Sequence, residues 1–238
     1  MRPLELLAPA KNLETGIAAI EHGADAIYIG AEQLGARSAA GNSVEDIAQL
    51  CQYAKQFGVK VYVTLNVIVY EHEIDYCQKL ITQLYEAGVD ALIVQDMGVL
   101  KMDIPPIELH ASTQTDNRTA DKVSWLKSLG FARVVLAREL SLDAIKAIHK
   151  EEPDVELEVF VHGALCVSYS GVCYVSQHSF GRSANRGECA QFCRMSFDLV
   201  DSDDREIEHQ RHLLSLKDMC RINELEQLAD AGATSFKI

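Results

Sequence analysis

The chain has 238 residues, 48% of them apolar, with 22 basic and 35 acidic side chains and a net charge of −13. That balance argues against a surface that grips a polyanion as a whole, because nucleic-acid affinity comes largely from phosphate neutralisation. No window approaches the roughly 18 uninterrupted apolar residues that span a bilayer, and the opening MRPLELLAPAKN lacks the charged, apolar, small order of a signal peptide, so the expectation is a cytoplasmic protein without membrane contact.

A phrase recurs along the chain: EHGADAIYIG (21–30), QFGVKVYVTLN (56–66), EAGVDALIVQD (86–96), SLGFARVVLAR (128–138) and DAGATSFKI (230–238). Each closes a helical run, places a Gly where a left-handed C-cap fits, and starts a short apolar strand. The strands lack clean alternation, as expected when both faces are covered. The pattern predicts eight strands: Leu4–Leu7, Ala26–Ile29, Lys60–Leu65, Ala91–Val94, Glu108–His110, Arg133–Leu136, Glu156–Val161 and Ser235–Ile238. Helices are expected over Leu13–His22, Val44–Phe57, Ile74–Ala87, Thr119–Leu129, Leu142–His149 and Ile222–Ala231, with only a turn or two before Pro105-Pro106. Eight βα units favour one closed α/β barrel of the (β/α)8, TIM-like kind over residues 1–238. The absence of G-x-G-x-x-G after any strand weakens an open dinucleotide-binding sheet. Residues 163–221 read as a cysteine-rich insertion between strand seven and the last helix. The chain stops on strand eight, and the expectation is that a further C-terminal region of the same protein covers it.

Barrel chemistry sits at the C-terminal ends of strands. Those ends hold Asn66, Gln95-Asp96, His110-Ser112-Gln114, Arg138-Glu139, His162-Gly163 and Lys237. Arg138 could clamp a carboxylate bidentately, and His110 and His162 could move protons near neutral pH. A small polar ligand is expected there, with Arg138, Asn66 and Gln114 around it. Polar residues also gather at strand ends simply because they meet water, and that plainer reading stands for each residue taken singly. Gly35–Asn42, rich in small residues, lacks the Lys-Ser/Thr of a phosphate-binding loop and reads as a mobile loop.

Five of the seven cysteines, Cys166, Cys173, Cys189, Cys193 and Cys220, fall in the insertion. A disulfide framework is not expected in a reducing compartment. Cys51 and Cys77 lie in amphipathic helical patterns and read as small buried apolar residues. Structural zinc favours pairs two to four residues apart, and only Cys189/Cys193 qualifies. Thiolates from separate loops suit an iron–sulfur cluster better, with zinc as the alternative and five buried free thiols as the plain one. The spacing leaves open which four of the five ligate. Arg182, Arg186 and Arg194 crowd the same loop and form a local basic patch, which the overall acidic charge does not exclude. A cysteine peptidase would need a paired His, and nothing in the sequence specifies one; H-E-x-x-H is absent.

The run EVFVHGALCVSYSGVCYVS (158–176), with Glu158, Phe160, Gly163, Ala164, Cys166, Gly171, Cys173 and Ser176 at its fixed positions, resembles the signature of the collagenase-like peptidases of unknown catalytic type, peptidase family thirty-two. ELLAPAKNLE at the start and LADAGATSFKI at the end extend the resemblance over essentially the whole chain. SANRGECAQFCR (183–194) and HLLSLKDMC (212–220) are most similar to the branch that makes 5-hydroxycytidine in ribosomal RNA. The resemblance implies an RNA-modifying hydroxylase with a 4Fe-4S cluster, ribosomal RNA as partner, faced by Arg182, Arg186 and Arg194, and prephenate as small carboxylate co-substrate. It implies cluster ligands at Cys166, Cys173, Cys189 and Cys220, with Cys193 as the alternative. The family name also keeps a peptidase reading open, and a metal-stabilised binding scaffold is the non-enzymatic one.

Overall fold

The computed structural model describes residues 4–35 and 41–238. Most of the stretch read as a mobile loop, residues 36–40, lies outside them. Eight parallel strands close into a barrel: β1 (Glu5–Ala10), β2 (Ala26–Gly30), β3 (Lys60–Leu65), β4 (Ala91–Val94), β5 (Glu108–Ala111), β6 (Arg133–Val135), β7 (Glu156–Phe160) and, last in the chain, β12 (Ala233–Lys237) between β7 and β1. The expected α/β barrel is therefore present. Two boundaries move by more than one residue: β1 runs three residues further, so Ala8–Ala10 belong to the strand, and β12 starts two residues earlier.

The recurring phrase has a physical role at each part. Gly23, Gly58, Gly88, Gly130 and Gly232 all have positive φ, the left-handed turn that ends each helix. Two residues beyond the Gly, Asp25 and Asp90 accept the backbone N–H groups of Leu6 and Val61 on the neighbouring strands, both at 2.8 Å. The phrase thus stops a helix and staples the next strand to its neighbour. Helices α1 (Leu13–Glu21), α2 (Val44–Lys55), α3 (Ile74–Glu86), α4 (Ala120–Ser128) and α5 (Leu142–Glu151) cover the outside. Asn12, Ser43, Thr119 and Ser141 cap α1, α2, α4 and α5 by accepting an N–H from the first turn, each worth about 1 kcal/mol. Outward strand residues such as Ile27, Val63, Leu92, Val134 and Leu157 form the large apolar layer under the helices. As expected, only a short 3-10 turn, Met97–Lys101, separates β4 from β5.

The barrel interior is divided. Leu7, Ala26, Tyr62, Ala91, Ile93, Val135 and Phe160 make a small apolar cluster. Beside it runs a ladder of charge. Arg133, 4% exposed, pairs with Glu5, Glu156 and Glu158, and Lys237 bonds Glu158 at 2.8 Å. Ser235 donates to Glu5 at 2.8 Å and Tyr62 to Glu5 at 2.7 Å. Burial alone would raise the Glu5 carboxyl. The Arg133 hydrogen bonds and charge, with the Tyr62 and Ser235 hydroxyls, outweigh it and hold Glu5 below its ordinary value of 4.5.

A depressed carboxyl contributes stability that is present above its ordinary value and lost as pH falls through the folded one. The urea midpoint is therefore expected to be flat from neutral pH down to about 5 and to fall steadily below it. In Glu5→Gln the midpoint starts lower and that acid slope is shallower, and equal slopes in the two proteins would refute the assignment.

Between β7 and the last helix the chain is not structureless. It forms β8 (His162–Gly163), α6 (Val175–Phe180), a hairpin of β9 (Phe197–Val200) and β10 (Glu206–Arg211), and β11 (Met219–Cys220). The helix expected over Ile222–Ala231 begins as a 3-10 turn, Ile222–Glu224, and is α-helical only as α7 (Leu225–Asp230). No helix among the described residues is long and apolar enough to cross a membrane.

Candidate metal centre and barrel mouth

β7 delivers the chain to the mouth at Phe160, and the cysteine segment folds back over it. β11 pairs antiparallel with β8, placing Cys220 opposite His162 and Met219 opposite Gly163. Arg221 N–H bonds Val161 C=O at 2.8 Å to complete the return. Met219 packs on the interior apolar cluster, so alternation along the strand turns Cys220 to the other face. The distant Cys220 is thus paired with His162, at the start of the segment that carries Cys166.

Glu139, just after β6, fixes the middle of the loop. Its two oxygens accept from Ser170 N–H at 3.0 Å and Ser170 Oγ–H at 2.8 Å. Next to it Gly171, at φ +81, lies on the backbone of Gln114, where an added Cβ would stand 2.4 Å from the Gln114 carbonyl oxygen. Ser176, almost wholly buried, accepts from Ala190 N–H at 3.0 Å. The loops carrying Cys173 and Cys189 are tied together by that bond.

The thiols converge. Burial pushes the Cys166 thiol up, and the neighbouring sulfurs of Cys193, Cys189 and Cys173 push it further, against the lowering effect of Arg138. Cys166, Cys189 and Cys220 are exposed and Cys173 and Cys193 half-buried. Cys51 and Cys77 are buried, their thiols pushed up to about 12 and about 11, which fits inert packing residues. A tetrahedral zinc with Zn–S bonds of about 2.3 Å holds its sulfurs about 3.8 Å apart. Among the described residues the only three ligand atoms from His, Cys, Asp or Glu within 4.8 Å of one another belong to Asp198, Glu206 and His209 on the hairpin, all exposed. As placed, no three cysteine sulfurs among the described residues lie within 4.8 Å of one another. Thiolates from separate loops can be drawn together by side-chain turns on a multi-iron cluster or on a zinc ion.

Arg138 lies with its guanidinium 4.1 Å above the Phe160 ring, facing the same space as the thiols. Lys237 is close below, 4.1 Å from the Tyr28 ring. Burial lowers its ammonium pKa, Glu158 opposes that, and Arg138 and Arg133 add to it. His162 is exposed at the rim. Asn66 follows β3 and is half-buried. Gln114 lines a separate cleft of about 340 Å³ between the ends of β4 and β5.

Three of the expected site residues are placed otherwise. His110 is not at the mouth. It is fully buried inside the barrel, edge-on to Tyr62, with Nε2 2.7 Å from Glu108 Oε1. β5 runs one residue further than expected, so position 110 lies within the strand rather than at its end, and its inward side chain meets Tyr62 and the Glu108 carboxylate at the strand's beginning. Arg186 is engaged by both oxygens of Glu73 (2.9 and 2.6 Å) and by the Ile68 carbonyl, over the Tyr70 ring. Arg194 donates to Leu165 C=O, Ser215 Oγ and Leu216 C=O. These two arginines tie the segment together rather than face outward; Arg182 is exposed. Sequence reasoning missed Ser170 and Asn185, which lie inside the runs 158–176 and 183–194 but at positions given no role, and the positioning role of Glu139. Only the placement of Glu139 at a strand end pointed to it.

Residues 11–238 match Peptidase family U32. The chain is 54% identical over 99% of its length to a 23S rRNA 5-hydroxycytidine synthase of Escherichia coli, of which it covers 36%. It is 38% identical to a tRNA hydroxylation protein of Bacillus subtilis and 36% to a collagenase of Porphyromonas gingivalis, over 98% of the chain and 58% and 60% of those proteins. It thus spans between about a third and three fifths of the length of these relatives. Among solved structures, that of the U32 peptidase Mk0906 superposes with a TM-score of 0.63 at 13% identity, covering 100% of this chain and 93% of that one. A 2,3-dimethylmalate lyase superposes at 0.51 and 8% identity, covering 100% and 76%, which shows the shared barrel alone. The match over nearly all of the chain makes it a member of peptidase family U32.

Proposed function

We propose that this chain is the barrel of an iron–sulfur-dependent hydroxylase that forms 5-hydroxycytidine in large-subunit ribosomal RNA. The observation that carries the proposal is the gathering of Cys166, Cys173, Cys189 and Cys193 beside Arg138 at the mouth. Cys166, Cys173 and Cys189 are the core ligands, and the fourth comes from Cys220, returned by β11, or from Cys193. When bound, a 4Fe-4S cluster supplies one-electron chemistry there. The chain's own residues do the rest. Arg138, stacked on Phe160, offers its guanidinium fork to a small carboxylate such as prephenate. Lys237 adds positive charge beneath it, balanced by Glu158. His162, at the rim, is the titratable group placed to take up or release a proton. Identity to a ribosomal RNA hydroxycytidine synthase and to a tRNA hydroxylation protein supports RNA as the substrate class.

Anaerobically purified protein is expected to absorb near ~400 nm and to contain iron rather than zinc. Cys173→Ser is expected to lose the absorbance and RNA hydroxylation together. A colourless, iron-free preparation with the fold intact sinks the cluster, and gelatin hydrolysis by that preparation favours a peptidase.

A further inference from the structure

The cleft of about 340 Å³ between the ends of β4 and β5 does not have Arg138 in its lining. Its lining includes Gln95, Gln114, Asn185 and Tyr174, together with Gly171 and Val172, which precede Cys173. Gln95 and Asn185 are 9% and 8% exposed. Gln95 Nε2 reaches only the Gln114 carbonyl at 3.4 Å and Asn185 Oδ1 at 3.5 Å, both long bonds. Its Oε1 is sealed from solvent and has no donor. The Asn185 backbone is pinned by Ile68 N–H at 3.2 Å. With Oδ1 taken by Gln95, the Asn185 Nδ2 remains a donor without a protein acceptor among the described residues. At the rim, the Tyr174 ring is 58% exposed.

Buried polar groups are normally satisfied, and an orphan at a cavity is a sign of an absent partner. The terminal torsion of Gln is soft, so a small turn presents Oε1 to the cleft. An acceptor on Gln95 beside a donor on Asn185 matches a base edge with an amino group next to a ring nitrogen. Cytosine has that order, whereas uracil has the reverse. An exposed tyrosine supplies the stacking face that single nucleotides use, and a base taken out of its stack is read on its Watson–Crick edge in this way.

We propose that this cleft is a single-nucleobase pocket that reads cytosine through Gln95 and Asn185 and stacks it on Tyr174. The pocket rests on the RNA-hydroxylase reading for its biological sense, and it adds to that reading a base-specific site, next to Cys173.

The test is equilibrium binding of CMP, UMP and AMP to the 238-residue chain, followed by calorimetry or ligand-observed NMR. CMP is expected to bind roughly fivefold or more tightly than UMP. Gln95→Leu is expected to bring that ratio to about one with the melting temperature unchanged, and Tyr174→Ala to weaken both nucleotides by roughly fivefold or more. Tyr174 is exposed, so its variant remains informative if the Gln95 variant does not fold. Equal binding of CMP and UMP, or no binding by the folded chain, overturns the pocket; so does a preference for AMP, which marks an adenine site. The two readings fail separately. Base discrimination in a protein that never acquires iron sinks the cluster and keeps the pocket. Cytidine hydroxylation by a chain that binds CMP and UMP alike sinks the pocket alone.

Discussion

Arg133→Met is expected to destabilise the protein by about 3–5 kcal/mol, the range for removing one partner of a buried charge network. Arg133 serves three carboxylates at once: Glu5, Glu156 and Glu158. Glu158 is wholly buried and Glu5 is 14% exposed. Only Glu156, 46% exposed, can turn to water. Lys237 still pairs with Glu158 in the variant, so the orphaned charge falls mainly on Glu5. Burial, which Arg133 now outweighs, then dominates at Glu5, and its carboxyl pKa rises above 4.5 instead of lying below it.

At this chain length the loss corresponds to a fall in melting temperature of roughly 6–20 °C. Adding Glu5→Gln to Arg133→Met is expected to recover part of it, because the amide no longer brings an unpaired charge into the barrel. A single variant within about 0.5 kcal/mol of the parent, the usual range for a surface change, would show that water or a rearranged Lys237 replaces the arginine. The Arg133 guanidinium carbon also lies 5.2 Å from the Tyr62 ring centroid, so some of the loss is packing, and Met retains much of that volume.

The contrast between this ladder and the strands that carry it accounts for what is legible in the sequence. Helix, Gly stop and strand recur because each step of a parallel barrel solves the same local problem, and the solution uses a residue with positive φ that sequence exposes directly. Gly23 and Gly232 are legible for that reason. The barrel interior is not. Its side chains come from every other position of eight separate strands, and Glu5 meets Arg133 across 128 residues. No local window contains that pair. His110 shows the same limit from the other side: it reads as a strand-end histidine, yet its side chain is enclosed inside the barrel by Tyr62, 48 residues earlier, and by Glu108. The arginines of the cysteine loop fail for a different reason. A cluster of positive charge in sequence reads as a patch, but Glu73, 113 residues away, takes up Arg186, and backbone carbonyls take up Arg194. The cysteines are legible as a group because packing alone rarely gathers so many thiols into one glycine-rich segment. The order in which they converge is not, since it depends on β11 returning to β8.

Gly171→Ala is expected to remove the iron site while leaving every cysteine in place. Two costs add at this position. The residue sits at φ +81, where a Cβ costs roughly 1–2 kcal/mol. That Cβ would also lie 2.4 Å from the Gln114 carbonyl oxygen and 2.8 Å from its carbon. These are backbone atoms at the end of β5 and cannot swing aside as a side chain would, so overpacking adds about 1–3 kcal/mol. The loop, not the barrel, is the part free to yield. Its anchor on Glu139 is one residue away, through Ser170, and Cys173 is two residues beyond. The expected result is a melting temperature within a few degrees of the parent and loss of most of the ~400 nm absorbance and bound iron. CMP binding weakens as well, since Gly171 and Tyr174 line the base cleft. A protein that keeps full iron and full CMP affinity would show that the loop reaches its place without the contact on Gln114. Glu139→Gln separates the two anchors: it keeps the shape and the acceptor oxygen but exchanges a charged partner for a neutral one, and a partial loss of iron is expected, smaller than that of Gly171→Ala.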